Sequence, residues 1–312
     1  MGQMRCCNIS LTPMCVGVSG ADDTFAAAAA STLLRAGGAS SCIRSRRMTL
    51  AIQSRDYWDG AVQSYVASAE PFTALFCADA VALAQIESDM HLIDVATGPG
   101  ALALAAEAKG AEVTAIDFSA AMIDQLRSRA QGRRIDAIQM DGQALDLPDG
   151  SFDRACSVFG IPLFPDWRAG LAEMARVLRP GGRAVVATAS TPVGFGPYMV
   201  LAQARAALFG GSPATLGVEG MAALADEDRL VAEMSDAGFE TVEVHQRNHN
   251  FAFDIAIFQT AREMLDASPV IADLAEPDRA RVIDEAAHMA AESQKDGKLN
   301  LDCVAHFATA KR

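Results

Sequence analysis

The chain has 312 residues, of which 51% are hydrophobic and 21% are charged, and its formal net charge at pH 7 is −13. This length fits one large or two small domains with a sizeable core, and no apolar run approaches the roughly 20 residues of a membrane helix, so we expect a soluble protein without a membrane partner. The negative charge argues against a nucleic-acid partner, because phosphate backbones bind to basic surfaces, and it favours a small neutral, apolar or cationic molecule.

The first 47 residues differ in composition from the rest of the chain. They are rich in Ala, Ser, Gly and Cys, and they lack both a periodic apolar pattern and the apolar segment of a secretory signal. We predict that 1–47 is a disordered extension and that 48–312 is the functional domain; an organelle transit peptide, or coding sequence upstream of a start at Met48, is the alternative. The seven cysteines show no metal-ligand spacing, so we expect no metal site and reduced thiols, as in the cytoplasm.

From Ser54 onward the apolar periodicity predicts alternating helices and strands. The predicted helices cover 54–67, 71–86, 100–109, 119–131, 166–178, 195–209 and 227–237, with two more near 254–266 and 277–294. The predicted strands cover 91–96, 111–117, 135–140, 152–158, 183–189, 239–245 and, near the end, 301–309. Repeated β–α units favour right-handed crossovers. The predicted fold class is therefore α/β, with a Rossmann-like, doubly wound seven-stranded sheet that is mostly parallel and has an antiparallel last strand.

The segment 91–105 combines a buried strand, a glycine turn and the start of a helix. Gly98 and Gly100 lack the Cβ that would prevent a sharp turn and a close approach to a ligand. The helix that follows presents unpaired N–H groups to an anionic group of a nucleotide-like molecule. The pattern Gly98-x-Gly100-x-x-Ala103 fits a dinucleotide fingerprint and equally fits the glycine loop of class I S-adenosylmethionine (SAM) methyltransferases, so the loop alone leaves the cofactor open.

Two acidic residues follow in the order that such a site requires. Asp117 ends the second strand, where a carboxylate can accept hydrogen bonds from ribose hydroxyls; its alternative role is to stabilise the start of the next helix. Phe118 could lie against an adenine face or in the core. Asp141 could accept a hydrogen bond from the adenine amino group, or it could form a turn with Gly142.

The later motifs distinguish the two classes of cofactor. The run 141–153 (DGQALDLPDGSFD) is followed by 155–159 (ACSVF) and then by 173–183 (EMARVLRPGGR). This series resembles the class I SAM-dependent methyltransferases, in particular the ubiquinone/menaquinone-biosynthesis type and related small-molecule enzymes, over about 54–190. Ala96 departs from the resemblance, because many members have a third glycine there.

The resemblance implies that SAM is the cofactor and that the methyl acceptor is a small molecule. Asp94, Ala96, Gly98 and Gly100 would surround the methionine part of SAM, and Ser157 would lie beside the sulfonium. The full set of implied cofactor residues is Asp94, Ala96, Gly98, Gly100, Asp117, Phe118, Asp141, Gly142 and Ser157.

The acceptor pocket is expected to come from the loop after the fourth strand and from a helical cap formed by 54–86 and 192–225. Its mostly apolar lining is typical of a small-molecule site, although the same side chains could be core beneath the cap. Tyr65 could instead close over the amino-acid end of SAM, or be a core tyrosine. The predicted lining residues are Tyr65, Phe159, Ile161, Phe164, Phe195, Tyr198, Met199 and Leu201.

The chemistry implied is an in-line displacement in which the cofactor carries the activated methyl group and the protein aligns the acceptor. A general base is needed only when the acceptor must lose a proton. The candidates are His245 and His249, since histidine titrates near neutral pH, and the alternative is that both are surface polar groups. A nicotinamide-dependent oxidoreductase would explain the glycine loop but not the run 141–153, and a SAM-binding protein without catalysis is the third hypothesis.

Overall fold

The computed structural model describes residues 50–211 and 218–312, so the predicted extension over 1–47 lies outside the described residues. The helices are α1 (Arg55–Ser68), α2 (Glu70–Ala84), α3 (Ala101–Glu107), α4 (Ala120–Arg129), α5 (Trp167–Val177), α6 (Pro197–Phe209), α7 (Glu219–Leu224), α8 (Glu227–Asp236), α9 (Ile257–Thr260), α10 (Arg262–Asp266) and α11 (Glu276–Ser293). The strands are β1 (His91–Val95), β2 (Glu112–Asp117), β3 (Ile135–Gln139), β4 (Phe152–Val158), β5 (Leu178–Ala189), β6 (Glu240–Asp254) and β7 (Lys298–Lys311).

The seven strands form one sheet in the order β3-β2-β1-β4-β5-β7-β6. Strands β1 to β5 pair in parallel, and β7 runs antiparallel to both β5 and β6. The predicted fold class, a mostly parallel seven-stranded α/β sheet with an antiparallel last strand, is confirmed. The carboxyl ends of β1, β2, β3 and β4 meet at one edge of the sheet, which is where open α/β sheets bind ligands.

Successive residues of the central strands pack into separate cores on the two faces of the sheet, because side chains alternate along a strand. In β1, Leu92 belongs to the core that includes side chains of α2 and α3, whereas Ile93 belongs to the core that includes α5 and α8. A third core lies among α6, α10 and α11, where Leu201, Leu265 and Ile283 are buried. This third core, which we call the cap core, contains no residue of β1 to β5.

Polar contacts attach α1 and α2 to the elements beside the glycine loop. Asp59 on α1 accepts hydrogen bonds from the Ser119 hydroxyl (2.6 Å) and from a backbone N–H in the first turn of α4 (3.2 Å). Glu70, at the start of α2, forms a two-point ion pair with Arg129. Arg129 also donates to the carbonyl of Pro99 (3.2 Å), so α2 is tied through Arg129 to the loop itself.

Some element boundaries differ from the sequence prediction because pairing with β7 outweighs the local signals. β5 begins at Leu178, so the Pro-Gly-Gly run lies within the strand, where its backbone pairs with Arg312, instead of ending the preceding helix. β6 runs to Asp254 instead of ending near 245, because it pairs with β7 along its length. The single helix predicted after it is two short helices, α9 and α10.

By length and composition, no single helix within 50–211 and 218–312 could cross a membrane. Helices α1 and α2 pass the same test as a pair, but the chain bends by 83° between them. The apolar side chains of α2, including Phe76 and Val81, are buried in one of the two sheet cores.

Replacing Gly100 by Ala is expected to lower the free energy of unfolding by about 2–4 kcal/mol. Gly100 has a φ of 94°, which is unfavourable for an L-residue, and an added Cβ would lie 2.2 Å from Cδ1 of Leu126. Gly132→Ala is the matched control, because Gly132 also has a positive φ (75°) but a Cβ there meets nothing within 4 Å. Urea denaturation compares the two variants, and an equal loss in both would show that Leu126 moves aside freely.

Candidate active site

A cavity opens at the edge of the sheet where β1 to β4 end, and the rest of its wall includes residues of α1, α2, α6, α7 and β6. We call the part formed by the strand ends the cofactor end; its wall comprises Ala96, Gly98, Asp117, Phe118, Met140, Asp141, Gly142 and Gln143. We call the part formed mainly by helices the acceptor end; its wall includes Tyr57, Trp58, Tyr65, Phe72, Thr73, Phe159, Phe164, Phe195, Tyr198, Met221 and Phe253.

The Asp117 carboxylate is fixed by backbone hydrogen bonds on both of its oxygens. Its Oδ2 accepts from the N–H of Gly98 (2.9 Å) and its Oδ1 accepts from the N–H of Ser119 (2.9 Å). Each oxygen of a carboxylate has a second lone pair, so the group can still accept hydrogen bonds from a ligand. Asp117 lies on the wall and a Cβ built on Gly98 meets nothing within 4 Å, so both border open space that can receive a ribose.

Asp94 lies behind the wall instead of on it. The side chain is 1% exposed, and it accepts a hydrogen bond of 2.6 Å from the Thr97 hydroxyl. Burial raises the pKa of Asp94 to about 7, and the nearby charge of Asp117 adds to the effect. Burial also raises the pKa of Asp117 to about 6, against the opposing effect of its two backbone N–H partners. A bound cation near this pair would favour both ionised forms.

Two residues with side chains adopt left-handed backbone conformations at the cavity. Ala96 has a φ of 60° and Phe159 has a φ of 63°. This conformation is rare for a residue with a Cβ and is found where the surrounding structure enforces it, often at functional sites. The Phe159 ring packs against those of Phe76 and Phe195, with centroid separations of 5.2 and 4.9 Å, which fixes this ring at the acceptor end.

The end of β3 forms a tight turn at the cofactor end. Asp141 accepts hydrogen bonds from both the backbone and the side-chain amide of Gln143 (2.9 Å each). A Cβ at Gly142 would lie 2.8 Å from the Phe164 ring and 2.9 Å from Val95, so a larger residue would displace the wall. Phe118 also lies on the wall here, where a flat base could contact its ring.

Several predicted site residues are not on the wall. Gly100 caps α3 and packs against Leu126, and Ser157 is fully buried with an Oγ that has no partner among the described residues. Ile161 is a core residue beneath the wall, and Leu201 belongs to the cap core. The residues that the structure does not bring to the wall are Asp94, Gly100, Ser157, Ile161, Met199, Leu201, His245 and His249.

Neither histidine candidate lies at the acceptor end, because β6 is longer than predicted and carries both to other contacts. The His249 Nε2 lies 2.7 Å from a carboxylate oxygen of Asp79 on α2, and its ring packs edge-on against Phe76. The His245 Nε2 lies 3.3 Å from the Thr309 hydroxyl on β7. The hypothesis that they serve as bases in the acceptor pocket is therefore corrected, since both are occupied by structural contacts away from the cavity.

Helix α1 contributes more of the wall than Tyr65, its one predicted lining residue. Six residues of this helix line the cavity together: Tyr57, Trp58, Ala61, Ser64, Tyr65 and Ser68. Their spacing corresponds to one face of a helix, so the signal was present in the sequence, which predicted 54–86 as part of the cap but only Tyr65 as a lining residue. Phe253 and Met264 also line the acceptor end, and no local pattern could have indicated this because they come from the distant β6–α10 region.

The electrostatic character of the cavity changes from one end to the other. Among the described residues on the wall, the charged side chains are Asp117 and Asp141, both at the cofactor end. The rest of the wall is apolar or neutral, and no group of side chains within 50–211 and 218–312 could hold a metal ion. The cavity therefore fits a cationic molecule at one end and a neutral one at the other.

Comparison with known proteins gives the family. Residues 92–182 match the model of the methyltransferase domain family. A demethylmenaquinone methyltransferase of Deinococcus radiodurans is 36% identical over 175 residues, which cover 52% of this chain and 73% of that protein. The chain belongs to the class I SAM-dependent methyltransferases of the ubiquinone/menaquinone type. A demethylmenaquinone methyltransferase of Thermus thermophilus is 41% identical over 111 residues, which cover 34% of this chain. This chain therefore spans about half of that relative's length, 50%.

Membership of this family decides between the cofactors that the glycine loop left open, and SAM is the cofactor.

Solved structures of other proteins have the same fold as this chain. The [4+2]-cyclase SpnF has a TM-score of 0.54 at 18% identity, over 84% of this chain and 96% of that one. The YcgJ protein of Bacillus subtilis has a TM-score of 0.52 at 19% identity, over 76% and 97%. At these identities the likeness shows the fold alone, which hosts more than one activity.

Asp94→Asn is expected to stabilise the ligand-free methyltransferase at pH 8 by about 2–4 kcal/mol. The pKa of Asp94 is raised in the folded state, so its contribution to stability is complete below pH ~4 and is lost as the pH rises through about 7. Asn keeps the acceptor oxygen for Thr97 without the buried charge. Urea denaturation should show a gain at pH 8 that is less than half as large at pH 5. Asp136→Asn, at an exposed position of β3, is the control, and a similar gain there would contradict the assignment.

Asp117→Asn is expected to weaken SAM binding at least tenfold, because it removes the charge from the group that is predicted to accept the ribose hydroxyls and gives Gly98 a poorer partner. S-adenosylhomocysteine shares the ribose and should lose affinity equally, as calorimetry can measure. Asp124→Asn is the control, since Asp124 is exposed on α4 and pairs only with Arg127. Unchanged SAM affinity in the Asp117 variant would contradict the ribose assignment.

Proposed function

We propose that this methyltransferase transfers a methyl group from SAM to a small, neutral, largely apolar ring compound, with a quinol as the best-supported class. The observation that carries the proposal is the composition of the acceptor end, where aromatic side chains form the wall and no described lining residue is charged. A carboxylate on the acceptor would lose its hydration there without gaining a cationic partner, which is unfavourable.

The aromatic wall suits a flat ring. Phe72 lies at centroid distances of 5.3 and 5.4 Å from Phe195 and Phe253, and all three rings line the cavity. Aromatic rings at such spacings contact one another edge-on or tilted, and a flat ligand can continue the same arrangement. These contacts supply shape and apolar area but no proton transfer.

The relatives support the acceptor class. The two relatives compared above are named for demethylmenaquinone, a compound with a ring that lacks one methyl group. In the reduced form of such a compound, a ring carbon beside a hydroxyl group is electron-rich. The wall of this chain, with its neutral hydroxyls and aromatic rings, is compatible with that kind of ring.

When bound, SAM supplies an electrophilic methyl group on a positively charged sulfur. The chain would contribute binding and alignment: Asp117 would hold the ribose, the Asp141 turn would border the adenine, and the Phe159 ring would help to position the acceptor. Such alignment can supply roughly 7–11 kcal/mol of barrier reduction. A ring carbon would take the methyl group as the carbon–sulfur bond breaks, S-adenosylhomocysteine would leave as a neutral product, and the displaced ring proton would pass to water.

The proposal is tested by incubating the full chain and SAM with a matched pair of ring compounds, 1,4-naphthoquinol and 1,4-dihydroxy-2-naphthoate, under anaerobic conditions. Both have a free ring carbon beside a hydroxyl, but only the second is anionic. We expect S-adenosylhomocysteine and a methylated product with the quinol, at a kcat/KM at least tenfold higher than with the carboxylate, because the wall offers no cation.

Asp117→Asn serves as the control for cofactor-dependent turnover. Tight SAM binding without methyl transfer to either ring compound would contradict the proposed acceptor class. Preference for the carboxylate would contradict the argument from the uncharged wall.

A further inference from the structure

All three tyrosines of the chain lie on the cavity wall at the acceptor end. Tyr57 and Tyr65 come from one face of α1, and Tyr198 comes from the first turn of α6. The Tyr65 hydroxyl lies 3.2 Å from the Thr73 hydroxyl and therefore has a partner. The hydroxyls of Tyr57 and Tyr198 have no hydrogen-bond partner in the part of the chain that the structure describes.

These two free hydroxyls are also not sealed inside the protein. The buried, unpartnered side-chain polar atoms of the described residues are Ser157 Oγ and His306 Nδ1, and neither tyrosine is among them. Because both tyrosines line the cavity, their hydroxyls have access to whatever fills it. The hydroxyl group of a tyrosine in an apolar wall lacks a hydrogen-bond partner until a ligand or water accepts its hydrogen bond.

Surrounding contacts hold the Tyr57 ring and the start of α6, which carries Tyr198, in place. The Tyr57 ring packs edge-on against Trp58 (5.2 Å), whose indole N–H donates to the Ile52 carbonyl (2.8 Å). Tyr198 follows Gly196, where an added Cβ would lie 2.5 Å from the Phe253 ring, so the start of α6 is pressed closely against that ring. The two phenols therefore reach the same cavity from two separately anchored helices.

The protonation state of the phenols makes them donors. Burial raises the pKa of Tyr57 to about 12. Burial raises the pKa of Tyr198 further, and the neighbouring phenols of Tyr57 and Tyr65 add to the effect, which is consistent with their closeness. At neutral pH both groups keep their protons, so they can donate hydrogen bonds but cannot remove a proton from the acceptor.

We propose that Tyr57 and Tyr198 form a two-hydroxyl clamp that donates hydrogen bonds to one oxygen of the methyl acceptor; this rests on the proposed function and names the substrate feature that the site recognises. Two donors aimed at one oxygen favour its anionic form over its neutral form. The oxygen of the acceptor loses its proton to water, the negative charge makes the adjacent ring carbon more nucleophilic, and the clamp holds that charge. The tyrosines act as binding and positioning residues, and no protein base is required.

The clamp is tested by binding, without turnover, to the full chain saturated with S-adenosylhomocysteine. The probes are 1-naphthol and its isostere 1-methylnaphthalene, which has a methyl group in place of the hydroxyl. In Tyr57→Phe and in Tyr198→Phe, we expect 1-naphthol binding to weaken about five- to tenfold while 1-methylnaphthalene binding stays within about twofold. Ser128→Ala, which removes an exposed hydroxyl on α4, is the matched control and should change neither.

A spectroscopic readout separates the clamp from a merely structural role. The naphtholate absorbance of the bound probe should appear at a pH about one unit higher in each Phe variant than in the unmodified protein, because each variant lacks one donor to the ionised oxygen. If the preference for 1-naphthol and its ionisation are unchanged in both variants, or if the unmodified protein does not prefer 1-naphthol, the clamp is overturned. Failure of methyl transfer with an intact preference would contradict only the proposed function, so the two failures are distinguishable.

Discussion

The carboxylate of Asp117 connects three parts of the structure on which the active site depends. Asp117 is the last residue of β2. Its carboxylate accepts hydrogen bonds from the backbone N–H of Gly98, in the loop after β1, and from that of Ser119, before α4. Ser119 in turn donates its hydroxyl to Asp59, which brings α1 into the same network. A single acidic side chain thereby sets the shape of the glycine loop, the start of a helix and the position of one wall of the acceptor end.

The two ends of the cavity differ in how they are built. The cofactor end consists of strand ends and tight turns whose backbone groups are already hydrogen-bonded, so little reorganisation is needed when a ligand arrives. The acceptor end consists of rings from helices and loops that touch one another through apolar contacts. This division matches the chemistry of the family, in which the cofactor is constant and the protein selects and aligns the second substrate.

The fold and the order of the loops at the cofactor end could be predicted from the sequence because their signals are local and occur in a fixed order. A strand, a glycine turn, an acid after the next strand and the run 141–153 are each short patterns, and together they indicate one family. The extent of β6 could not be predicted, since it is set by pairing with β7 across many intervening residues. His249 illustrates the same limit: its position in the chain suggests nothing about Asp79, which it meets only because α2 packs near β6.

The cap core shows how this architecture can diversify. Leu201, Leu265 and Ile283 are buried together apart from the two cores that hold the sheet. Packing energies of residues that share no contacts are close to additive, so substitutions in one core leave the other cores largely undisturbed. Substitutions in the cap core can therefore accumulate without disturbing Asp117 or the glycine loop, whereas a change at Phe72 or Phe253 alters both the acceptor wall and a core of the sheet.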